Sequence, residues 1–102
     1  MNELIAEQKL VYNQGISKTT YKFENGKAIS CINITEFYNE EFAQIVYNAN
    51  MINSHMFKNI KFNGKILEYE WSDDFFEKKG KGSSKEVIIK FLKDSGWKIL
   101  NK

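Results

Sequence analysis

Two Asn-Gly dipeptides constrain the fold of this chain more than any other feature. Asn25-Gly26 separates the alternating run Thr19-Thr20-Tyr21-Lys22-Phe23-Glu24 from Lys27 to Ile34, and Asn63-Gly64 separates Lys58-Asn59-Ile60-Lys61-Phe62 from Lys65 to Trp71. Asn and Gly both tolerate the positive φ of a type I′ turn, whose twist matches that of paired strands, so each dipeptide predicts a β-hairpin. With a two-residue turn in each, Glu24 faces Lys27, Phe62 faces Lys65, Ile60 faces Leu67 and Met56 faces Trp71. Tyr21, Phe23, Ile32 and Ile34 then share one face of the first hairpin. Met56, Ile60, Phe62, Leu67, Tyr69 and Trp71 share a face of the second, with Asn59, Lys61, Glu68 and Glu70 opposite.

A helical pattern follows each hairpin. Asn39 is placed to cap a helix whose first turn carries Glu40 and Glu41, favourable at the positive end of the dipole. Phe42, Ile45, Val46, Ala49 and Ile52 recur at helical spacing as the expected buried stripe, which leaves Ala43, Gln44, Tyr47 and Met51 outward. Ser83-Ser84-Lys85-Glu86 reads as a capping box for a second helix, with Val87, Ile88, Phe91 and Leu92 inward. Ser95-Gly96 supplies the stop, and Trp97 to Leu100 reads as a short last strand. Glu3 to Tyr12 is rich in helix formers, but alternation favours a strand with Leu4, Ala6, Leu10 and Tyr12 on one side.

The expected fold is α+β, a single domain over residues 1–102. An antiparallel sheet of five to six strands is built from the two hairpins, with two helices packed on one face. Tyr21 to Lys27 echoes Ile60 to Lys65, which raises a duplicated ββα unit; convergence on a good turn accounts for so short an echo more simply.

Apolar runs such as Val87-Ile88-Ile89 fall far short of the ~20 residues that cross a bilayer. The first residues have neither a basic n-region nor an apolar h-region, so the reading expects no signal peptide, no membrane and a cytoplasmic location. The single cysteine, Cys31, cannot form an internal disulfide or build a zinc site alone. All 15 basic residues are Lys and there is no Pro, while Asn and Ile are abundant. That bias points to an AT-rich genome: a low-GC bacterium, its phage or another mobile element. Without Arg, the chain has no guanidinium fork for guanine or phosphate and no arginine finger.

Candidates for chemistry are few. Cys31 and the one histidine, His55, would need to meet to form a nucleophile–base pair; Asp73, Asp74 and Glu77 form one acidic group with no partner cluster. Neither is compelling, and the reading assigns no catalytic residue, metal or cofactor. The Lys-rich loop is more suggestive: Lys78, Lys79, Lys81, Ser84 and Lys85, with Gly80 and Gly82, lead into a helix N-terminus that favours anions. From Lys78 onward, 8 Lys face 2 acids. Three functions compete, the least favoured being an enzyme that uses the Asp73–Glu77 carboxylates or the Cys31–His55 pair. The favoured one is a non-enzymatic protein-interaction module of the inhibitor, immunity or anti-defence kind, binding and blocking a macromolecular partner through Ala43, Gln44, Tyr47 and Met51, with a homodimer as a further form of that contact. The alternative is a weak nucleic-acid or phosphate-ligand binder using the loop 78–85.

Overall fold

The computed structural model describes residues 2–10, 12 and 14–101. The first hairpin joins β2 (Gly15–Glu24) to β3 (Lys27–Phe37) through Asn25 and Gly26, whose φ values of 54° and 77° are those of a type I′ turn. Glu24 faces Lys27 as expected, but Lys22 faces Ser30 where Phe23 faces Ala28, so Ile29 is an unpaired bulge. A one-residue bulge exchanges the two faces beyond it. Cys31, Asn33, Thr35 and Phe37 therefore join Tyr21 and Phe23 on the covered face, and Ile32 and Ile34 turn to the open face, against the expectation from an unbroken alternation. The shift places the large ring of Phe37 inward, where Phe42 meets it edge-on at 5.7 Å.

After α1 (Glu40–Ile52) and a 3-10 turn at Ser54–Met56 comes the second hairpin, β4 (Phe57–Asn63) and β5 (Ile66–Trp71). Its turn slides by one residue: Gly64 takes positive φ, Asn63 does not, and Asn63 faces Ile66. Phe62 thereby faces Leu67 rather than Lys65, which pairs two apolar side chains. A bulge between Lys58 and Lys61, with Asn59 at φ 53°, then brings Phe57 rather than Met56 opposite Trp71. The amide of Asn59 donates to Glu70 at 2.7 Å.

The chain closes with α2 (Asp73–Glu77), α3 (Lys85–Asp94) and β6 (Lys98–Ile99). The N-terminal segment is a strand, β1 (Asn2–Lys9), paired with β2 from Asn2↔Phe23 to Lys9↔Ile16. Leu4 and Ala6 are buried as expected, whereas Tyr12 lies past the strand and is 90% exposed. The sheet is six-stranded and antiparallel, in the order β4-β5-β3-β2-β1-β6. The fold is thus α+β, with α1 and α3 on the same face. The two hairpins differ in turn geometry and carry their bulges on different strands, so the echo between them does not extend to their backbones.

Two apolar clusters lie beneath the helices. One joins Leu4, Tyr21, Phe23, Ala28 and Cys31 of the sheet to Phe76, Ile88 and Leu92; the other joins Phe37 and Leu67 to Ala43, with Phe42, Val46, Tyr47, Ile60 and Phe62 packed around it. Both helices are rotated from the expected stripe. In α1, Ala43, Val46, Tyr47 and Asn50 face the sheet, because fully buried Ala43 permits close approach and Tyr47 stacks on Phe62 at 4.5 Å. In α3, Ile88 and Leu92 are buried while Val87 and Phe91 are exposed, and Ser84 rather than Ser83 is the cap, accepting from the Val87 N–H. At the other end, Gly96 N–H donates to Lys93 and Trp97 N–H to Leu92, the paired bonds of a Schellman stop. No helix among the described residues is long and apolar enough to cross a membrane.

Two glycines separate the contributions of sterics and backbone strain. A Cβ on Gly15 would lie 2.3 Å from the carbonyl oxygen of Glu36, whereas one on Gly26 meets nothing within 4 Å but sits at positive φ. Gly15→Ala is expected to destabilise by about 1–3 kcal/mol through overpacking, and Gly26→Ala by about 1 kcal/mol through strain alone. Denaturant unfolding of both variants checks the order.

Candidate functional site

Between the two clusters the covered face becomes polar. Ser17, Thr19, Asn33 and Thr35 are buried there at alternating positions of β2 and β3. Thr35 Oγ1 donates to Asn33 Oδ1 at 3.1 Å, Ser17 Oγ lies 3.3 Å from the same oxygen, and the two hydroxyls are themselves hydrogen-bonded. Above Ser17 and Thr35 a cleft of about 350 Å³ opens between the sheet and α1. Phe37, Phe42, Val46, Leu67 and Tyr69 form much of its wall, with Lys9 and Asn50 also lining it. Sequence reasoning missed this site. Its signal was the phase of Ser17 and Thr19, which share the face of Tyr21 and Phe23; the matching phase of Asn33 and Thr35 was hidden by the Ile29 bulge.

The expected partner surface is only partly exposed. Ala43 is fully buried and Tyr47 half-buried in its stack on Phe62, so neither belongs to an outer face; Gln44 and Met51 are exposed as expected. In their place the rotation of α1 exposes Ile45 (63%) and Ile52 (82%), with Ala49 also exposed between them. From Phe42 to Phe57 the sequence has no Lys, Asp or Glu. The open face of the sheet also carries isoleucines, among them Ile32, Ile34 and Ile66, interspersed with Lys18, Glu36, Glu68 and Glu70.

The Lys-rich loop is tied to the sheet by its own backbone. Ala28 N–H donates to Ser83, Gly82 N–H to Ala28, Lys81 and Lys79 N–H to Phe76, Lys78 N–H to Phe75, and Ser83 N–H to Gly80. Those amides are turned to protein carbonyls rather than to a ligand, and the Ser84 hydroxyl is engaged as the cap. Lys79 lies over the Phe75 ring, its ammonium 5.6 Å from the centroid. Lys78, Lys79 and Lys81 are exposed, and Lys85 is half-buried in the first turn of α3.

Cys31 and His55 are not brought together as a pair. The thiol is buried, 3.3 Å from the Thr19 hydroxyl, whereas His55 is exposed on the 3-10 turn beside Asp74, Phe75 and Lys78. Burial pushes the Cys31 thiol up from its ordinary value. Asp73 and Asp74 occupy the first turn of α2, capped by Ser72, and Asp73 accepts from Lys58 at 2.9 Å. That hydrogen bond holds the Asp73 carboxyl below its ordinary value and raises Lys58. No group of three or more His, Cys, Asp or Glu with metal-binding geometry occurs among the described residues.

Comparison with protein-family models, with curated proteins and with solved structures finds no match.

Two expectations follow. Tyr47→Ala should lower stability by about 1–2 kcal/mol, because the ring's stack on Phe62 belongs to the fold; thermal or denaturant unfolding measures it. Burial also raises the hydroxyls of Tyr21 and Tyr69. Groups held protonated by the fold contribute stability below their unfolded values and lose it as pH rises. Stability should therefore hold up to about the ordinary thiol value of 9.0 and fall beyond the ordinary phenol value of 10.0. Urea midpoints measured from pH 7 to 11 test the window, and Cys31→Ala should blunt its onset.

Proposed function

We propose that this chain is a non-enzymatic protein-binding module that acts by covering a surface of a partner protein, with the outer face of α1 as the core of the contact. The observation that carries this reading is the apolar stripe Ile45, Ala49 and Ile52, one, two and three turns along the solvent side of a helix with no charged residue after Glu41. Isolated exposed apolar residues are ordinary. A helix whose inner stripe already packs on a sheet and whose outer stripe is also apolar has two faces to bury. Met51, exposed at the same end, adds an adaptable contact, and the Gln44 amide, hydrogen-bonded to Asn48 at 3.0 Å, forms a polar edge. Each isoleucine transferred from water to a partner contributes about 1.5–3 kcal/mol when fully covered.

A blocking protein of the inhibitor, immunity or anti-defence kind is the use that suits such a face, and the amino-acid bias, with no Arg or Pro and many Asn and Ile, fits a bacterium, phage or mobile element as its source. The competing nucleic-acid reading has less support, since the N–H groups of Lys78, Lys79, Lys81, Gly82 and Ser83 already donate to protein carbonyls.

The test is affinity capture from an AT-rich bacterial lysate with the natural chain, with Ile45→Glu/Ile52→Lys, and with Lys78→Ser/Lys79→Ser/Lys81→Ser. The first double variant should lose the same protein that the natural chain and the lysine variant retain, with affinity reduced about 10–100-fold and thermal stability within ~0.5 kcal/mol. Retention of every captured protein by Ile45→Glu/Ile52→Lys, or loss only in the lysine variant, would overturn the reading.

A further inference from the structure

We infer that the cleft between α1 and the centre of the sheet is a binding site for a small, flat aromatic molecule carrying an N–H or O–H donor. The site goes beyond the protein-binding reading, because it uses the inner side of α1 and not the outer.

The cavity, about 350 Å³, is within the range of small-molecule sites, ~300–1,000 Å³, and too small for a folded partner. Its wall is apolar and in good part aromatic, through Phe37, Phe42 and Tyr69, which suits a planar ring. The floor sets the polarity of what fits. Thr35 donates its hydroxyl hydrogen to Asn33 Oδ1, and Ser17 donates its own either to the same oxygen or to Thr35. Both hydrogens are thus spent within the floor, and what Ser17 and Thr35 offer the cleft is oxygen lone pairs. Gln8, also lining the cleft, donates one amide N–H to the Ser95 carbonyl at 2.9 Å, and its carbonyl oxygen is a further acceptor. An occupant with a donor at its inner end satisfies this floor; one that presents only acceptors leaves lone pairs opposed.

The probes are indole and 1-benzothiophene (the same outline with sulfur in place of N–H), titrated into the full chain by amide-detected NMR. Indole should give saturable shifts at Ser17, Thr35 and Val46. Benzothiophene should bind about tenfold more weakly, the value of one lost hydrogen bond. Val46→Phe, which fills the cleft from the helix side and leaves the floor intact, should abolish indole shifts while the spectrum stays dispersed. Shifts that do not saturate or that map elsewhere, equal affinity for indole and benzothiophene, or full indole binding by folded Val46→Phe would each overturn the inference.

Discussion

Ile29 has no partner across the β2–β3 ladder, and the effects of that extra residue extend through the sheet. Because side chains alternate with a period of two, one unpaired residue exchanges everything beyond it between the covered and open faces. Before the bulge, Ala28 packs inward beside Phe23; after it, Cys31, Asn33, Thr35 and Phe37 do so. The polar centre of the covered face, the aromatic anchor for α1 and the isoleucines on the open face all follow from this register.

The polar centre in turn explains why the core is divided. The hydroxyls of Ser17, Thr19 and Thr35 find partners in one another, in Asn33 Oδ1, in the Cys31 thiol or in the Ile32 carbonyl, so they can be buried with their hydrogen bonds made. They offer little apolar surface for a helix to cover. α3 therefore settles over Leu4, Tyr21 and Phe23, and α1 over Phe37 and Leu67, with the cleft opening above Ser17 and Thr35. The same arrangement gives α1 its double role. Its inner residues Phe42, Val46 and Asn50 line the cleft, while Ile45 and Ile52 point to solvent. An occupant of the cleft would rest against the helix that carries the proposed partner surface.

Much of the architecture could be read from local chemistry. Asn25-Gly26 made its turn because both residues accept positive φ, Asn39 capped α1 through the Phe42 N–H, and Gly96 ended α3. Register was harder to read, because it is decided by side chains that meet only in the folded sheet. Asn63-Gly64 looked identical to the first turn, yet pairing Phe62 with Leu67 outweighed the I′ preference and moved the turn by one residue. The face of α1 was misassigned for a related reason. Periodicity over Phe42, Ile45, Val46, Ala49 and Ile52 has no means of registering that a small Ala43 allows close approach, or that Tyr47 has Phe62 to stack on. The candidate sites depend on these two decisions, so the loop's lysines could be named from sequence whereas the cleft and the exposed stripe could not.

Cross-strand NOEs between β2 and β3 read the bulged register at its source. The expected NOEs join Thr19 to Asn33 and Ser17 to Thr35, with Ile29 showing no cross-strand partner on β2. Contacts between Thr19 and Ile32 and between Ser17 and Ile34, the pairs of an unbroken ladder, would contradict it and remove both the polar floor and the cleft built upon it.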